Sequence, residues 1–77
     1  MAEAFVFINV EPGSENEVLK RLREVAEVKE SYLVYGVYDI IAKVETDSMD
    51  RLKEVITWKV RRLDKIRSTL TTVVMKR

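Results

Sequence analysis

The sequence contains no cysteine, no histidine and no glutamine, and it has one proline and two glycines. The missing cysteines exclude disulfides and thiolate metal sites. The missing histidines remove the commonest metal ligand and the commonest general base at neutral pH. No run of apolar residues approaches the roughly 18 needed for a membrane-spanning helix. The opening Met1–Phe5 stretch has no basic region of the kind that begins a signal peptide. A cytoplasmic location is therefore expected, with no metal and no cofactor. Charge of one sign is not in excess either. Fourteen Lys and Arg oppose thirteen Asp and Glu, a net charge of +1. That is not the footprint of a dedicated nucleic-acid binder. The charged fraction is 35%, and thermolabile amides are confined to Asn9 and Asn16, a composition that fits a thermophile.

The 77 residues allow one domain, 1–77, with a small core. Domains of this size commonly need a staple. With disulfides and histidine or thiolate metal sites excluded, oligomerisation is the remaining route.

Ala4–Val10 is a continuous apolar run of strand length. Pro12-Gly13 follows as turn chemistry. Ser14 with Glu17 has the spacing of a capping box. A helix carrying Val18, Leu19, Leu22, Val25 and Ala26 on one stripe comes next. Val28–Tyr35 and Tyr38–Glu45 read as strands joined by a short turn at Gly36-Val37, hence an antiparallel hairpin. Thr46-Asp47-Ser48 offers caps for a second helix, with Met49, Leu52, Ile56, Val60 and Leu63 on its stripe. Ile66–Met75 closes the chain as a strand. The order βαββαβ predicts an α+β, ferredoxin-like sandwich: a four-stranded antiparallel sheet with two helices on one face. It places the first and third strands, the most apolar ones, in the centre.

Side chains alternate across a strand. Val6, Ile8 and Val10 then share a face with Ile40, Ala42 and Val44, and the helices should cover that face. Phe5, Phe7, Ile41, Val73 and Met75 are assigned to the opposite face, with Thr69 and Thr71 beside them. An uncovered apolar face marks an interface, most simply with a second copy. Trp58 lies off the second helix's stripe, near Arg51, Val55 and Arg62. It is either a second interface residue or a ring lying under an arginine.

Three segments carry a family resemblance: Ala4–Val10 before Pro12-Gly13, Val25–Glu30, and the hairpin Tyr35-Gly36-Val37-Tyr38-Asp39 running into Ile40–Val44. Arg67–Thr71 adds to them. Across essentially the whole chain the sequence resembles the RAM domain, the effector-binding half of the Lrp/AsnC transcription regulators. The helix-turn-helix half of the usual family member is absent from this sequence, so it resembles the stand-alone RAM proteins. The resemblance implies a dimer formed through sheet faces, assembly into octamers or similar rings, and an amino-acid site between dimers. Direct DNA binding does not carry over; full-length Lrp/AsnC regulators are possible partners.

An amino acid needs an acceptor for its ammonium, donors for its carboxylate and a pocket for its side chain. Gly36 and Val37 could present backbone N–H groups, Asp39 could take the ammonium or brace the loop, and Tyr35 and Tyr38 could wall the pocket. Thr69 and Thr71 could add hydroxyls from a neighbouring subunit. Two other classes compete with this reading. An enzyme is not expected, because no carboxylate dyad stands out and the glycine-rich phosphate loop of acylphosphatases is missing. An RRM-like RNA-binding module would use Phe5 and Phe7, but the third strand lacks the aromatic pattern of that family. The basic cluster Lys59, Arg61, Arg62, Lys65 and Arg67 suits a solvated helix end. A structural role in hetero-oligomers with full-length regulators is compatible with the sensing role.

Overall fold

The computed structural model describes residues 1–76. Its elements are β1 (Ala2–Val10), α1 (Glu15–Arg23), β2 (Val28–Leu33), β3 (Ile40–Thr46), α2 (Met49–Val55) and β4 (Ile66–Val73). All four strands lie in one sheet of order β2-β3-β1-β4, and every pairing is antiparallel. The expected βαββαβ sandwich is what the chain forms, with β1 and β3 in the middle.

The core is built from one side of the central strands. Ala4, Val6, Ile8 and Val10 of β1 and Ile40, Ala42 and Val44 of β3 are buried. Val18 and Leu22 of α1 and Leu52 and Val55 of α2 close over them. Each apolar side chain so buried is worth about 1.5–3 kcal/mol. α1 rests mainly on β2, and α2 rests on β1 and β3, so β4 lies at the margin of the helical layer.

Helix α2 does not continue as an α-helix. Ile56–Val60 is a π-helical turn, sealed by a 2.8 Å bond from Arg61 N–H to the Ile56 carbonyl. This five-residue spacing brings both Val55 and Val60 into the core. Val55 is therefore a core residue and not a neighbour of Trp58 on the outer surface, a correction to the ideal helical wheel. After the turn, Lys65 adopts a left-handed backbone (φ 74°) and hands the chain to β4. The two helix starts also differ. Ser48 caps α2 by accepting from Arg51 N–H at 3.2 Å. Ser14 makes no side-chain cap bond, so the capping box anticipated with Glu17 does not form.

The hairpin is looser than expected. β2 ends at Leu33 and β3 begins at Ile40, so Tyr35–Asp39 is a loop and not a tight turn.

The register of β4 reverses the face assigned to its side chains. Val6 pairs with Thr71, Phe7 with Leu70, and Ala4 with Val73. Thr69, Thr71 and Val73 are therefore on the helix side, where Val73 packs against the core. Leu70 and Thr72 join the phenylalanines on the uncovered side. Met75 lies past the end of the strand and is exposed, so strand pairing does not fix the face to which it belongs.

Candidate functional site

Two surfaces stand out, the uncovered sheet face and a groove at one end of the sheet.

Cross-strand pairing orders the sheet face into rows. Tyr32, Ile41, Phe7 and Leu70 form one row across all four strands. No helix covers it, and Leu70 is 50% exposed. Tyr38 lies against Phe7, ring centroids 5.5 Å apart and planes tilted by 47°. This is an aromatic pair of ordinary geometry. The neighbouring row is polar. It sets Glu30, Lys43, Phe5 and Thr72 side by side. The Lys43 ammonium is 3.1 Å from Glu3, 3.3 Å from Glu45 and 3.7 Å from Glu30. Hydrogen bonding to Glu3 and then Glu45 holds it above the ordinary lysine range, against the opposing effect of partial burial. Three carboxylates around one ammonium give this part of the face a negative balance.

The groove has a volume of about 490 Å³ and is lined by Asn9, Val10, Pro12, Glu15, Asp39, Arg67 and Ser68. Asn9 and Val10 come from the end of β1, and Pro12 and Glu15 from the turn into α1 and its first residue. Asp39 enters where the chain joins β3. Its backbone N–H donates to the Ile8 carbonyl at 2.9 Å, and its Oδ2 accepts from Val10 N–H at 2.9 Å. The carboxylate thus stands in for a backbone carbonyl at the point where the ladder ends. The Asp39 carbonyl also accepts from Val34 N–H at 2.9 Å, so the residue clips the loop at both ends. Among the described residues the other carboxylate oxygen has no protein hydrogen bond. Across the groove, Asn9 Nδ2 donates a long 3.4 Å bond to Ser68 Oγ.

The hairpin residues are thus dispersed. Asp39 lines the groove, while the Tyr38 ring packs on Phe7. Tyr35 and Val37 project into solvent. Gly36 has no left-handed backbone, and a Cβ there would meet open space, so the sharp nest expected of it is not formed. Thr69 and Thr71 do not line the groove and do not share a face with Phe7. The sequence reading missed Asn9, Glu15, Arg67 and Ser68. Arg67 owes its place to a register slip, which no local pattern announces.

Trp58 takes the cation–π arrangement. It is 60% exposed, with the Arg62 guanidinium 4.8 Å from the ring centroid. On the same outer surface, Glu27 joins Arg51 at 3.0 Å and Lys59 at 3.5 Å. A bond to its own backbone amide is the main cause holding the Glu27 carboxyl below the ordinary range. Arg51 and Lys59 add to this, and burial opposes it. Among the described residues no cluster of carboxylates is placed to hold a metal ion, and no helix is long and apolar enough to cross a membrane.

A helical layer on one side, an aromatic row on the other and a polar groove at the sheet's end make up an α+β module of the ferredoxin-like type. Residues 3–77 match the family model of the Lrp/AsnC ligand binding domain, and the chain belongs to that family. It is 32% identical over 71 residues to an uncharacterized HTH-type transcriptional regulator of Pyrococcus abyssi, covering 92% of this chain and 45% of that one. It is 38% identical over 58 residues to regulatory protein AsnC of Escherichia coli K12, covering 75% of this chain and 38% of that protein. The chain thus spans less than half the length of these curated relatives. Among solved structures, FFRP-DM1 superposes with a TM-score of 0.93 at 43% identity, over 97% of this chain and 100% of its own. A hypothetical protein of Pyrococcus horikoshii gives 0.92 at 42%, over 100% and 93%. The E. coli AsnC structure gives 0.91 at 31%, over 99% and 52%.

Proposed function

We propose that this domain senses a free amino acid in the groove beside Asp39 and works as a homodimer joined through the uncovered sheet face. Dimers assemble further into an octamer or similar ring, and a neighbouring dimer closes the groove, with Thr69 and Thr71 on the outer strand as the hydroxyls it brings. The assembly acts on Lrp/AsnC-type regulators and does not itself bind DNA.

The observation that carries the reading is the state of Asp39. One oxygen is committed to Val10 N–H, which fixes the carboxylate's position. The other is available to an ammonium at the edge of a cavity large enough for an amino acid. A transcriptional regulator of the same fold from Neisseria meningitidis, 14% identical, was solved as an L-Met complex. That lends support to an amino acid as the ligand class.

The row Tyr32, Ile41, Phe7 and Leu70 supports the dimer, because a symmetric copy removes it from water. An RNA-binding sheet would use the same aromatics, but Glu3, Glu30 and Glu45 beside them repel phosphate.

Calorimetry with the standard amino acids tests the site. Asp39→Asn keeps an acceptor for Val10 N–H and removes the charge, so affinity for the preferred ligand should fall about tenfold or more, the size of a lost charge-assisted bond. Unchanged affinity in that variant would remove Asp39 from the site. Asp39→Ala should also lose about 1.5–3 kcal/mol of stability in urea, because Val10 N–H is left unpaired in a partly buried position.

A further inference from the structure

Within the protomer the hairpin supplies no nest for the ligand carboxylate, since the Gly36 backbone is not left-handed. We propose that Arg67 is the carboxylate receptor of the groove and that Glu11 is its built-in competitor, an assignment that rests on the groove being the ligand site.

The first support is the strand register. Asn9 pairs with Ser68 and Val10 with Ile66, so Arg67 is the extra residue of a β-bulge. A bulge re-aims the side chain it carries. Here it brings Arg67 to the groove that Asp39 also lines. The other charged residues lining the groove, Glu15 and Asp39, are both acids. Arg67 is thus the lining residue that attracts a carboxylate, and its guanidinium offers forked donors matched to two oxygens.

The second support is the partner Arg67 already has. Its Nε is 3.7 Å from Glu11 Oε2, too long for a hydrogen bond and close enough for an ion pair. Both side chains are more than half exposed, so the pair is held weakly. The Glu11 backbone, by contrast, is fixed. Its N–H donates to the Lys65 carbonyl at 2.8 Å, and its carbonyl accepts from Ser14 N–H at 2.9 Å. Glu11 is a tethered carboxylate that stays near Arg67 whether or not a ligand is present. A ligand carboxylate must displace it, and the apparent affinity is reduced by the fraction of time the internal pair is closed. For an exposed pair that reduction is about twofold to fivefold.

The test compares wild type, Glu11→Gln, Arg67→Gln and the double variant, with Glu17→Gln as a control for simple loss of negative charge. Each is titrated calorimetrically with the standard amino acids. Separately, acetate is titrated while the Arg67 Nε–Hε signal is followed by NMR. Glu11→Gln should bind the preferred amino acid about twofold to fivefold tighter than wild type and Glu17→Gln, and the gain should vanish in the Arg67→Gln background. If wild type binds an amino acid and Glu11→Gln matches it, the competitor role is overturned while the groove stands. If Arg67→Gln binds as tightly as wild type, the receptor role is overturned. If no amino acid binds any form, the site reading itself falls, and acetate decides the rest. A lower saturating acetate concentration at Arg67 in Glu11→Gln than in Glu17→Gln supports the competition. Equal concentrations overturn it.

Discussion

Replacing Phe7 by alanine should dissociate the proposed dimer and leave the protomer folded. Phe7 is central to the row Tyr32, Ile41, Phe7 and Leu70, and its ring already leans on Tyr38. Full burial of a phenylalanine is worth about 1.5–3 kcal/mol. The ring is already mostly buried within the protomer, so association can gain at most about a third of that. A two-fold interface contains the ring twice, giving up to roughly 1–2 kcal/mol per dimer, or about a 5- to 30-fold rise in the dimer dissociation constant. Analytical ultracentrifugation across a dilution series reads this directly, and far-UV circular dichroism checks the fold. The adjacent Ile8 gives the contrast. Its side chain is fully buried on the opposite face, so Ile8→Ala should cost about 2–5 kcal/mol of folding stability. A wild-type protein that stays monomeric at high concentration, or a Phe7→Ala variant with an unaltered dimer constant, would refute the reasoning.

Four further outcomes follow from the packing and the ion pairs. The raised pKa of Lys43 means that its stabilisation is present below the unfolded lysine value of about 10.4 and is lost as pH rises through the folded value. Lys43→Met should therefore flatten the alkaline limb of a pH–stability profile measured by urea unfolding. Glu27 has the opposite sign: its lowered pKa contributes above about pH 4.3 and is lost as pH falls through the folded value, so Glu27→Gln should soften the acid limb. Ser48→Ala should destabilise α2 by about 1 kcal/mol in thermal unfolding, whereas Ser14→Ala, which removes no cap bond, should be close to neutral. Arg62→Ala should make Trp58 fluorescence more sensitive to acrylamide at a cost of only about 0.5–1 kcal/mol, because the ring is stacked on its own surface.

The element order, the central position of β1 and β3 and the side each turns to the helices were all legible in the chain. In those strands alternation carries contrast. Val6 and Ile8 differ in size and shape from Phe5 and Phe7, and the two sets have different surroundings to satisfy. The missing cysteines and histidines likewise narrowed the chemistry before any coordinates. Asp39 was legible as a brace for its loop, since a carboxylate beside a turn commonly fills that role.

The outer strand shows where such reading stops. β4 lies at the margin of the helical layer, so both of its faces are half-exposed mixtures of threonine and aliphatic residues. Alternation without a burial contrast fixes no direction. The pairing of Thr71 with Val6 and of Leu70 with Phe7 decided it instead. The bulge at Arg67 and the bond from Val10 N–H to Asp39 are likewise relations between segments distant in sequence. The π-turn is closed locally, but what favours it is that it brings Val60 into the core beside Val55. Local composition reports how each residue prefers to meet water. Which partner its backbone meets is settled when the strands dock, and the groove is a product of that docking.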